Sequence, residues 1–154
     1  MKLAEALAER ADGVRRGEQL KARIAGSARY QEGENPPEDA AALLAEAAEV
    51  LTGLEILIAR INRTNAVTHM GDSTLTAALA KRDVLRMRHS VLTSAADAAA
   101  GQRGVAVRQL RSELKMLPAL PVADLRTQAD QVARELRDLD VRIQRTNWEA
   151  DLAD

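Results

Sequence analysis

The chain has no cysteine and no phenylalanine, and its only aromatic residues are Tyr30 and Trp148. Without cysteine there can be no disulfide, thiolate metal site or cysteine nucleophile. With two aromatics in 154 residues, the core must be built from Leu, Ala, Val and Ile. Strand-rich folds favour β-branched and aromatic side chains, so this composition reads as nearly all helical. Neither half is basic enough for a nucleic-acid footprint: residues 1–77 carry nine basic and twelve acidic side chains (−3), and residues 78–154 thirteen and eleven (+2). Met1 to Asp12 alternates apolar and charged residues and lacks the apolar run of a signal peptide. No window approaches eighteen uninterrupted apolar residues. A cytoplasmic protein, with a membrane an unlikely partner, is the expectation.

Signatures of chemistry are also missing. The two histidines, His69 and His89, are not at i, i+4, and no Glu-x-x-His occurs, so the carboxylate–histidine pattern of di-iron bundles is absent. There is no Gly-x-Ser-x-Gly elbow and no glycine-rich phosphate loop. No cofactor, metal ligand set or catalytic residue is assigned. A non-enzymatic role is favoured over an enzymatic one.

What the chain does contain is a repeat. Arg60-Ile61-Asn62-Arg63-Thr64-Asn65 recurs as Arg142-Ile143-Gln144-Arg145-Thr146-Asn147, identical but for one amide exchanged for another. Upstream, Leu43, Ala47, Val50, Leu54, Leu57 and Ile61 step by 4, 3, 4, 3, 4. Leu125, Ala129, Val132, Leu136, Leu139 and Ile143 repeat the pattern at the same offset as the motif. Such spacing lays each set along one stripe of a helix. Leu3 to Arg10 similarly resembles Leu75 to Arg82, at a slightly shorter offset.

Four helices follow: residues 3–26, about 39–65, about 74–100 and about 122–148. On the first, Leu3, Leu7, Val14 and Ile24 share a face with Leu20 beside it, and Gly13 and Gly17 weaken the middle. Asn35-Pro36-Pro37 ends regular structure before the second. His69 to Ser73 reads as a turn with Asp72 or Ser73 as N-cap of the third. Gly101 to Gly104 breaks that helix, and Val105 to Leu117 reads as either a short strand or more helix. The chain closes in an acidic tail, Glu149 to Asp154. The fold class is all-α: a duplicated long helical hairpin, one domain over 1–154, with repeat one at about 1–70 and repeat two at about 73–154. It forms a four-helix unit with pseudo-twofold symmetry and room for one short strand pair in the connections. Internal duplication takes precedence over other fold arguments.

The candidate polar sites are few. Asn65 and Asn147 end the two stripes. They can cap helix C-termini, sit as buried amides that fix register, or bind a ligand. Arg63 and Arg145 beside them complement the negative end of the helix dipole. Arg82, Asp83, Arg86 and His89 form the densest polar cluster within a helix. That line can hold an anion or a partner's carboxylate, or form an ion-pair seam between helices. Arg10 and Arg82 are candidate neighbours of the two asparagines.

Gln31 to Glu34, Arg60 to Asn65, Lys81 to Leu85, Arg111 to Lys115 and Asp140 to Trp148 together resemble the septicolysin-like family. Its members are small bacterial helical proteins, mostly of unknown function. The resemblance spans essentially the whole chain. It implies an all-α subunit assembling into a homo-oligomer, and the family name implies a pore-forming haemolysin. It supplies no catalytic residues.

Overall fold

The computed structural model describes residues 1–101 and 114–154. Among them are four helices, α1 (Leu3–Ser27), α2 (Ala40–Val67), α3 (Leu75–Ala99) and α4 (Val122–Glu149). A minimal hairpin, β1 (His69–Met70) and β2 (Ser73–Thr74), lies between α2 and α3. The protein is all-α, and the expected strand pair lies in the connection between α2 and α3; the other candidate stretch is Val105 to Leu117. Residues 105–113 of that stretch lie outside the described residues. Residues 114–117 form neither helix nor strand, and the backbone there runs into Pro118, which lacks an N–H and restrains the residue before it. The chain divides into two compact units, Met1–Thr76 with Gln144–Asp154, and Ala77–Ile143.

In the first unit α1 and α2 form an antiparallel hairpin. Arg23 grips Glu38 with its guanidinium, Nε lying 3.0 Å from Oε2, and Arg16 pairs with Glu46. Asp39 caps α2, its Oδ1 accepting from the amides of Ala41 at 3.0 Å and Ala42 at 3.1 Å. The expected inner face of α1 holds except at Val14, which is exposed: Leu3 and Leu20 are buried and Leu7 and Ile24 half-buried, joined on the same side by buried Ala6 and Ser27 and half-buried Gly13 and Gly17. A Cβ on Gly13 would stand 3.2 Å from Leu54 Cδ1. Gly13 therefore marks where α2 comes close, a packing role rather than a weak point.

The turn before α3 also differs from expectation. Gly71 takes φ +67° and leads the two-residue loop Gly71-Asp72, with Met70 opposite Ser73 and His69 opposite Thr74. A glycine first in a two-residue loop suits the twist of paired strands. The helix begins only at Leu75, so Asp72 and Ser73 belong to the hairpin and Thr74 directly precedes the helix.

This joint is made twice. The Leu75 amide donates to the Thr68 carbonyl at 2.8 Å, and the Leu3 amide donates to the Ala150 carbonyl at 2.9 Å. Leu75 is the counterpart of Leu3, and Ala150 of Thr68, so the bonds correspond under the duplication. Likewise Lys2 bridges Asp151 in antiparallel fashion, matching Thr74 opposite His69. The end of each repeat thus fastens onto the start of the other by the same backbone bonds.

In the second unit the ion pairs run low number to high: Lys81 Nζ to Glu135 Oε1 at 2.7 Å and Arg126 Nη1 to Asp97 Oδ1 at 3.3 Å. The described parts of α3 and α4 are therefore antiparallel. The repeated stripes face inward: Leu43, Ile61, Ala129, Val132, Leu139 and Ile143 are buried, and the other members are half-buried, including Leu54 and Leu136.

Candidate functional site

The repeated motif is built into the first unit as a clamp. Arg60 and Thr64 are four apart, hence on one face near the carboxyl end of α2. Thr64 is 1% exposed. Its hydroxyl donates to the Arg60 carbonyl at 2.8 Å and accepts the Ala153 amide at 2.9 Å. Arg60 Nε donates to the Ala153 carbonyl at 2.9 Å, and Nη2 reaches Asp154 Oδ1 at 3.3 Å. On the other strand of the joint, Lys2 Nζ donates to the Glu149 carbonyl at 3.0 Å and pairs with Asp151 Oδ1 at 2.8 Å. That ammonium, by hydrogen bond and then by charge, holds the Asp151 carboxyl below its usual range. The acidic tail is thus pinned, with Leu152 buried.

The asparagines are not C-caps. α2 continues past Asn65 to Val67, and α4 past Asn147 to Glu149. Among the described residues no side-chain-bearing residue takes the left-handed conformation. Thr68 is the C-cap of α2, its amide bonded to the Thr64 carbonyl. Asn147 is buried and Asn65 half-buried, which leaves the buried-amide and ligand readings. Arg63 and Arg145 are exposed and stand just ahead of the last helical turns, where the dipole's pull has already fallen off. Sequence reasoning chose the arginine and asparagine of the motif and missed Arg60 and Thr64. Their signal was present: both are unchanged in the second copy, as Arg142 and Thr146.

Arg82, Asp83 and Arg86 do come together, around Asp140 of α4. Arg82 Nη1 lies 3.9 Å and Arg86 Nη2 3.8 Å from its carboxylate, and Arg82 Nε lies 3.6 Å from Asp83. These are ion-pair distances beyond hydrogen-bond length, and two arginines face two aspartates, leaving no net charge. With Lys81–Glu135 they make a seam joining α3 to α4. His89 is half-buried on the same side of α3 as Arg82. Arg10, at the place in α1 matching Arg82, is exposed. Among the described residues no three His, Asp or Glu side chains converge as metal ligands would.

The first unit also carries a groove of about 430 Å³ between α1 and α2, lined by Glu9, Gly13, Gly53, Leu54, Ile56 and Arg60, among others. The duplication explains it. The positions matching Glu9, Gly13 and Gly53 are Lys81, Leu85 and Glu135. In the second unit Leu85 is buried and Lys81 pairs with Glu135. Where the second hairpin has a buried leucine and an ion pair, the first has Leu54 close against Gly13 and open space at Gly53.

The sequence over residues 10–152 matches the family of unknown function DUF6847, and the chain belongs to that family. Its fold is similar to the crystal structure of a functionally unknown conserved protein from Corynebacterium diphtheriae, with TM-score 0.91, 38% identity and 99% of each chain covered. No curated protein matches.

Proposed function

We propose that this member of DUF6847 is a non-enzymatic assembly subunit that works as a homo-oligomer, with α2 supplying the contact surface. One observation carries the reading. α2 and α4 are copies of one helix, yet they differ on their outward sides. Leu44, Leu51, Ile56 and Val67 of α2 are exposed, at 56–63%, and the matching positions of α4 are Arg126, Ala133, Asp138 and Glu149. Exposed apolar surface of that extent marks an interaction site. Light scattering at micromolar concentration tests the reading: a multiple of 16.7 kDa supports it, and 16.7 kDa itself overturns it.

The septicolysin-like resemblance raises membrane damage as a second reading. Both aromatic residues favour it, since Tyr30 and Trp148 are exposed, as interfacial anchors are. Among the described residues no helix is long and apolar enough to cross a membrane. Dye release from liposomes separates the two: an assembly subunit leaves the vesicles sealed. A third reading, a ligand-binding enzyme with its site between subunits, would show as ligand-dependent stabilisation.

A further inference from the structure

Beside its buried stripe, α2 carries a second line in steps of four and three, from Ala42 to Val67. Read along the helix it runs alanine, two glutamates, glycine, isoleucine, two arginines, valine. Acid fills one half and base the other, and the middle holds a glycine next to an isoleucine. Ile56 and Val67 are exposed, as are Ala42, Glu49, Gly53 and Arg63. A Cβ on Gly53 would meet nothing within 4 Å, so Gly53 is a hole beside a knob.

We propose that α2 pairs antiparallel with α2 of a second copy of this chain, with the twofold axis passing between Leu54 and Glu55. The proposal rests on the homo-oligomer reading and names its surface. In this register every position meets its complement. Ile56 enters the groove over Gly53 of the second copy, and the reverse contact forms by symmetry. Glu49 faces Arg60, Glu46 faces Arg63, and Ala42 faces Val67. A twofold interface must be self-complementary in this way, residue for residue. Arg60 already holds the tail through Nε and Glu46 already meets Arg16, so the new pairs extend existing ones.

The corresponding line of α4 shows that this is no general property of the repeat. The same register there would set Asp124 on Glu149 and Glu135 on Asp138, acid against acid. The self-complementary pattern is therefore present on α2 and absent from its copy, α4. The open groove supplies the second argument, since its counterpart in the other hairpin is closed by a leucine side chain and an ion pair. An isoleucine and a Glu–Arg pair from a second copy would complete it with the same chemistry.

The test uses light scattering and cross-linking on the full chain. Wild-type protein should have twice the 16.7 kDa chain mass, and Ile56→Glu should halve it while circular dichroism stays unchanged. Because the chain has no cysteine, introduced thiols report without background. Gly53→Cys mixed with Ile56→Cys should cross-link under mild oxidation well faster than either variant alone. An oligomer that survives Ile56→Glu overturns this surface but leaves self-association standing. A halved mass without faster cross-linking in the mixture overturns the register. A wild-type monomer at all concentrations overturns both readings.

Discussion

Thr64 and Ala153, far apart in sequence, are joined by a 2.9 Å hydrogen bond from the Ala153 amide to the Thr64 hydroxyl. That hydroxyl also donates to the Arg60 carbonyl, so one buried oxygen satisfies two backbone groups. Thr64→Val keeps the shape and removes both bonds. It should cost about 1–3 kcal/mol, the penalty for leaving buried groups unpaired. Thr64→Ser should lose less. Urea unfolding gives the energies, and faster exchange of the Ala153 amide in Thr64→Val would localise the loss.

Acid should weaken the fold at the ion-paired carboxylates. Glu38 is held below its usual range by its hydrogen bonds from Arg23, Glu135 by Lys81 and Asp151 by Lys2. Each folded carboxylate then binds protons less readily than its unfolded form. Their stabilisation is complete above the unfolded values near pH 4 and is lost as the pH falls through the lower, folded ones. Lys2→Met should destabilise at pH 7 and flatten the acid limb, read from thermal midpoints between pH 2 and 6.

Truncations along the stripes should follow burial. Ile61→Ala and Ile143→Ala, each at 1% exposure, should cost about 2–5 kcal/mol. Leu54→Ala and Leu136→Ala, which are half-buried, should cost less. Equal losses at all four positions in chemical denaturation would contradict the observed burial.

The two glycines of the groove should respond differently. Gly53→Ala meets open space and should stabilise the monomer by about 0.5–1 kcal/mol through helix propensity. At Gly13 the same gain is opposed by the 3.2 Å approach to Leu54, and Gly13→Leu should overpack the hairpin by about 1–3 kcal/mol. Thermal shifts of the variants decide it.

Helix limits were legible almost to the residue because local chemistry sets them: Pro36-Pro37 before α2, the His69 to Ser73 turn before α3 and Gly101 after it. The stripe from Leu43 to Ile61 was legible because helical period and duplication agreed. Thr64 was not, because its role depends on Ala153, and a partner so distant leaves no periodic trace. Gly13 was misread for a related reason. A glycine inside a helix looks like a propensity defect until the neighbouring helix is seen against it. The outward line of α2 escaped notice because likeness between the copies was the guide, and that side is where they differ.

The doubled joint has a consequence for how the gene could be rearranged. Lys2 and Asp151 meet as Thr74 and His69 do, so these two segments are neighbours in the same way as those flanking the Gly71-Asp72 loop. A chain opened at that loop, with a short linker joining Asp154 to Met1, would keep every backbone bond of both joints. The order of the two repeats could then reverse with the fastenings between them intact.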